Sequence, residues 1–327
     1  MTRNKIQIVK RDDIVYSSGL DLISSDGMFK LGDGRMKRIM SVFRLLQRFT
    51  RTEINNCHYT NDNALLIVAK KGIYRITDKN KIKKTFAVKR GSKPLNICVV
   101  DTGLVIFGEY FQNLDKKAVH IYKSSDYGKN WEIAYTFDAG NINHVHGVYY
   151  DKYTGRIWVA TGDRENECII GYTEDEFKSF TEVFRGGQEY RTCQLFFYKD
   201  FIVFGTDTQY EQNVIKKFDR QTLEITELQK VQGSVIKGGQ VGDVSFISTT
   251  VEPSDVNTDK WAHLWVTKDG LHWEERYKAK KDWLPATLFQ FGTFEFPQYY
   301  GIEKLERLYF SGRALKGLDG KTTYIDL

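Results

Sequence analysis

The stretch Ser124-Ser-Asp-Tyr-Gly-Lys-Asn-Trp131 decides the fold. It reads S-x-D-x-G-x-x-W, and each fixed position has a task in a hairpin turn. The serine and aspartate side chains cap backbone N–H groups, glycine supplies a positive φ, and tryptophan plugs the edge of the sheet. Asp126, Gly128 and Trp131 are therefore structural parts. One such turn says little, whereas a series of them says much.

The series is present. Thr267-Lys-Asp-Gly-Leu-His-Trp273 is one residue shorter, with Gly270 moved up beside Asp269. Thr173-Glu-Asp-Glu-Phe-Lys-Ser-Phe180 keeps Thr173, Asp175 and a terminal aromatic, but Phe177 stands where glycine is expected. Ser25-Asp-Gly-Met-Phe29 is a fainter copy. With Asp26, Asp78, Asp126, Asp175, Asp219, Asp269 and Asp326 as corresponding positions, the spacing runs from 44 to 57 residues. A period of this length, with about four strands per unit, predicts the blades of a β-propeller.

Between the turns the chain reads as strand. Leu65–Lys70, Leu104–Tyr110, Ile157–Asp163, Phe201–Asp207, Val244–Thr250 and Leu308–Arg313 are continuous apolar runs that end in polar residues. Strands buried on both faces look like this, as the second strands of stacked blades should. The expectation is an all-β, seven-bladed β-propeller forming a single domain over residues 1–327, with six blades if residues 11–52 do not form one. Thr322–Leu327 resembles the third strand of a last blade, and the strand at residues 5–9 is expected to supply its fourth. Met36–Arg51 breaks the β pattern and predicts one short helical insertion. Ile39, Val42, Phe43, Leu46 and Phe49 recur at helical spacing, among Lys37, Arg38, Arg44, Arg48 and Arg51. Two readings stand for it: an insertion packed on the propeller, or a basic amphipathic helix that docks on a membrane or protein partner.

Composition narrows the function classes. Aromatic residues make up 14% of the 327, which suits packed strands. Lysine and arginine exceed aspartate and glutamate by 48 to 42, a net charge of +6 that fits a mixed-charge surface as readily as an anionic partner. No run is long enough to span a bilayer, and the N-terminus lacks the apolar segment of a signal peptide, so a cytoplasmic protein is expected. Cys57, Cys98, Cys168 and Cys193 show no C-x-x-C spacing and read as buried thiols. No phosphate loop, dinucleotide fingerprint, nucleophile elbow or RNA-binding motif occurs, and Gly238–Gly242 reads as turn geometry, so nucleic acid is not expected as a partner.

Antiparallel order places the candidate site. If the aspartate turns join third and fourth strands, the loops entering first strands and leaving second strands lie together at the opposite end. Second-strand exits supply Glu109, Tyr110, Asp163, Arg164, Glu165, Asp207, Glu252 and Arg313. First-strand entrances supply His144 and His146 from Asn143-His-Val-His-Gly147, Tyr190, Arg191 and Lys237. His144, His146, Asp163, Tyr190, Arg191 and Asp207 are the catalytic candidates, and the remainder are candidates for substrate binding. Each type also has a structural use, as a satisfied strand histidine, an internal ion pair or a turn cap. The histidine pair with Asp163 or Asp207 has metal-ligating types, but spacing fixes no third ligand. No metal and no cofactor are therefore expected.

The aspartate turns resemble the Asp boxes, or BNR repeats, of the sialidase-like propeller superfamily. Gly108–Phe111, Asn143–Asp151, Thr161–Asp163, Gly205–Asp207, Thr249–Asn257 and Phe289–Pro297 look like a bacterial group encoded with surface-polysaccharide genes. True sialidases carry an arginine triad and an R-I-P sequence. This chain has no R-I-P, and only Arg191 and Arg313 suit a substrate carboxylate, so sialidase activity proper is not implied. The histidine-rich loops look more like propeller polysaccharide lyases, in which histidine, tyrosine and arginine serve proton abstraction from a uronate. The resemblance implies a protein that binds and cleaves an acidic or complex bacterial polysaccharide, as a lyase or a glycosidase. The alternative is a non-catalytic glycan-binding or assembly scaffold. In the first case Arg191 and Lys237 hold an anionic group and His146 or Tyr190 moves a proton, aided by His144 and Asp163 or Asp207.

Overall fold

A computed structural model describes residues 4–11, 13–25, 27–31, 39, 42–69, 71–78, 81–100 and 102–327. Its strands form seven sheets in chain order, a seven-bladed β-propeller as the repeat predicts. Four-stranded sheets begin at Ile54–Tyr59, Cys98–Val99, His144–Tyr150, Thr192–Phe197 and Ser234–Val241. Contacts divide the chain into two compact units. One comprises residues 1–57, 209–215 and 227–327, and the other residues 58–208 and 216–226.

Second strands are sealed as their apolar runs require. Every residue of Leu65–Ala69, Val105–Gly108 and Ile157–Gly162 is buried. In the second unit Val119, Ile121, Val148, Val159 and Ile169 pack in one cluster that joins neighbouring sheets. Burial of each such side chain contributes roughly 1.5–3 kcal/mol before chain entropy is charged against it.

The aspartate turns sit between third and fourth strands. Ser124 Oγ accepts from Gly128 N at 2.9 Å, and Asp126 Oδ1 accepts from Lys129 N and Asn130 N at 3.0 and 2.9 Å. Thr267 and Asp269 repeat this with Gly270, Leu271 and His272. Gly128 takes φ of 80°, and Phe177, at the equivalent place, takes 74°. A left-handed phenylalanine costs about 1–2 kcal/mol, offset here by burying its ring in the core. Asp26 lies outside the described residues.

The chain ends are stitched differently from the sequence expectation. Strand Lys5–Lys10 pairs with Ile14–Ser18, and Gln298–Tyr300 adds to it in parallel, giving the N-terminal sheet five strands. The C-terminal sheet has three strands and meets the N-terminal strand through side-chain bonds. Ile6 N donates to Thr322 Oγ1, and Thr322 Oγ1 donates to Asn4 O.

The expected insertion is helical over Arg44–Thr50, while residues 36–38, 40 and 41 lie outside the described residues. Its arginines point inward: Arg48 is buried and paired with Asp282, and Arg44 bonds Asp319 and Glu53. Its apolar residues face out, with Val42, Phe43, Leu45 and Phe49 each more than half exposed. A short helix at Ala286–Phe289 lies beside it, with the Phe49 and Phe289 rings 5.8 Å apart. Among the described residues no helix is long and apolar enough to cross a membrane. All four cysteines are buried free thiols.

Candidate functional site

The second unit builds its site from equivalent positions of successive sheets. His144 lies opposite Gly162 in register, so Asp163 leaves the second strand beside the histidine that enters the first. One sheet further, Thr192 lies opposite Thr206, and Asp207 N donates to Arg191 O at 2.9 Å. The Thr173 turn lies at the other end of its sheet, opposite Ile157.

A bulge aims the second histidine. The pairing shifts between Val145 and Gly147, so His146 is the extra residue, and bulges of this kind re-aim side chains. Its Nδ1 lies 3.0 Å from Thr192 O, and His144 Nδ1 lies 2.9 Å from Phe111 O. Both Nε2 atoms then converge, 3.1 Å apart. Gly162 leaves the room for this, since a Cβ there would stand 2.5 Å from His146 Cε1.

Asp163 is the focus. Its oxygens lie 3.0 Å from His146 Nε2, 3.3 Å from His144 Nε2, 3.0 Å from an Arg191 terminal nitrogen and 2.8 Å from Asn143 Nδ2. Burial draws this carboxyl upward, but hydrogen bonds and charge from the two histidines outweigh burial and hold it well below the usual carboxylate range. It is also the opening of the cluster: its side chain is 30% exposed, against 7% for His144 and 1% for His146. Arg191 bridges to Asp207 at 3.7 Å, and these two carboxylates keep its guanidinium charged despite burial. The Cys193 thiol donates to Asp207 Oδ2 at 3.2 Å, and burial, then the Asp207 charge, push that thiol well up. Tyr110 lies over His144, ring centroids 4.3 Å apart.

Other candidates have different surroundings. Tyr190 stacks on Phe184 with centroids 5.2 Å apart, inside a hydrophobic cluster rather than on the histidines. Glu109 is paired with Arg90 and accepts from His120 N, a set of bonds that occupies both oxygens. Arg164 and Glu165 are exposed on the loop beyond Asp163. In the first unit Arg313 sits between the buried acids Glu295 and Glu53. Lys5 also bonds Glu295, Lys237 adds its charge there, and Glu252 accepts from Gln209 at 2.7 Å.

The chain matches no known protein family and no curated protein. Solved structures do resemble it. The extracellular domain of a putative hybrid two-component system from B. thetaiotaomicron has TM-score 0.59 at 11% identity, covering 99% of this chain and 40% of that one. A prolyl endopeptidase gives 0.55 at 10%, covering 98% and 49%. A catalytically inactive virginiamycin B lyase from Staphylococcus aureus, with quinupristin, gives 0.55 at 13%, covering 99% and 96%. The chain thus spans about half or less of the first two. The likeness is one of fold.

Sequence reasoning missed Asn143, Arg90 and Gln188 as members of these networks. Asn143 carried a signal, because it precedes the histidine pair and sits opposite the second-strand exit. Gln188 bonds Asp163 O from a short helical turn, and nothing in the sequence marks that turn.

Proposed function

We propose that this chain is a carbohydrate-active propeller that binds an acidic glycan at the Asp163 cluster and cleaves it by β-elimination. One observation carries the reading: His144, His146 and Arg191 converge on one half-open carboxylate, and Arg191 reaches on to a second, Asp207, an arrangement too costly for packing alone. Tyr110 is half-buried and lies over the buried His144 ring, so the tyrosine hydroxyl handles the proton. Arg191 acts from behind through its charge. Glycosidase chemistry needs two reachable carboxyl groups, and Asp207 is only 4% exposed, which favours the lyase. The shared geometry of the aspartate turns supports kinship with the Asp-box propellers.

The test is incubation of the purified chain with a panel of acidic polysaccharides, read by mass spectrometry and by absorbance of unsaturated uronates. An unsaturated product, reduced at least tenfold in Tyr110→Phe and His144→Ala, is expected. A water-added product would replace the lyase with a glycosidase, and neither product nor glycan binding would end the carbohydrate reading.

The outward apolar face of Val42, Phe43, Leu45 and Phe49, with Trp283 and Leu288 also exposed, favours a second reading. In it the chain is a scaffold that docks by this face on a lipid surface, with its basic residues turned inward. Flotation with phosphatidylcholine vesicles that is lost in Phe43→Glu plus Phe49→Glu would support it, and no flotation of the parent chain would remove it.

A further inference from the structure

We propose that His144, His146 and Asp163 form a binding site for one divalent first-row transition metal ion of the zinc or manganese class. This reverses the sequence expectation of no metal, and it does not depend on the glycan reading.

The inference begins with the hydrogens. A backbone carbonyl only accepts, so the contacts of His144 Nδ1 with Phe111 O and His146 Nδ1 with Thr192 O place a hydrogen on each Nδ1. In a neutral imidazole each Nε2 is then a bare lone pair. These two lone pairs lie 3.1 Å apart and face the oxygens of Asp163 at 3.0 and 3.3 Å. Carboxylate oxygens accept as well. Acceptors facing one another this closely repel unless a proton or a metal ion lies among them.

A metal ion fits that place. Bonds of about 2.0–2.1 Å in a tetrahedral site put neighbouring donor atoms about 3.3 Å apart. The 3.1 Å between the two Nε2 atoms and the 3.0 Å from His146 Nε2 to Asp163 Oδ1 need only small outward shifts to reach it, and His144 Nε2 already stands 3.3 Å from Oδ2. The carbonyls on the two Nδ1 atoms are the outer partners that fix the ring orientation and tautomer of metal-binding histidines. Charge points the same way, since Asp163 and Asp207 bring two formal negative charges against the one of Arg191. Arg191 and Asn143 already bond Asp163, and a carboxylate has lone pairs for both and for a metal. Two imidazoles and one carboxylate select a transition metal over calcium or magnesium. The exposed side of Asp163 leaves coordination positions for water or a ligand carboxylate, as in catalytic rather than structural sites.

Two neighbouring sets do less well. His146, Cys193 and Asp207 also lie within ligating distance of one another, but the Cys193 hydrogen is committed to Asp207. His263 has a carboxylate on each ring nitrogen, Glu275 at 2.8 Å and Asp259 at 3.0 Å, and so bridges two acids.

The test uses the full chain, stripped with chelator and titrated with zinc and with manganese by calorimetry, with cobalt absorption as a second readout. One ion per chain is expected, released protons accompanying it at low pH. Asp163→Asn and His146→Gln should each lower affinity at least tenfold, and His272→Ala, whose ring is exposed, should leave it unchanged. Gly162→Ala presses on the His146 ring and should weaken binding while the ligands remain. Circular dichroism confirms that each variant is folded. Uptake well below one ion per parent chain, or equal affinity in folded Asp163→Asn and His146→Gln, would overturn the site; the histidines would then hold protons only.

Discussion

His58 gives the chain a pH dependence that can be worked in advance. The residue is partly exposed, but its Nε2 is sealed from solvent and has no hydrogen-bond partner. Burial alone lowers its pKa from 6.5 to about 4, so the folded ring is neutral over a range in which the unfolded ring is charged. Between those values the unfolded chain binds a proton that the folded chain refuses. Stability is therefore complete above about pH 7 and falls as the pH drops toward 4. At 1.36 kcal/mol per unit, the loss at pH 4.5 is about 2.5 kcal/mol. Urea unfolding of the parent chain and of His58→Gln at pH 7.5 and pH 4.5 isolates this group, because other titrations are common to both. The difference in unfolding free energy between them should shift by roughly 2–3 kcal/mol in favour of the variant at the lower pH. Parallel curves across that window would refute the reasoning.

Asp126→Ala removes the acceptor for two turn N–H groups and should destabilise the chain by about 1 kcal/mol, as loss of a helix cap does, measured by urea unfolding. Arg313→Met leaves the buried Glu53 and Glu295 short of one positive neighbour, so a loss of roughly 3–5 kcal/mol is expected in the same measurement. Adding Glu295→Gln should recover part of that loss; a double variant worse than the single one would count against the pairing.

Residue patterns alone reached the turn chemistry, the sealed second strands and the blade count, because each depends on contacts within one hairpin or one pleat. They also placed His144 and Asp163 together, since antiparallel register fixes which strand ends meet. The same logic failed for Tyr190, where a short helical turn sends the ring into Phe184. Over residues 44–50 local periodicity could not tell which side faces inward. That choice belongs to Asp282 and Asp319, more than 230 residues away, which draw Arg48 and Arg44 in and turn the apolar side out. Likewise the sequence by itself determined that two histidines and an acid lie at the same end of their strands, but only tertiary structure made them a site. The bulge at His146 and the carbonyls of Phe111 and Thr192 point both Nε2 atoms at one carboxylate, and those partners come from segments that no local pattern connects.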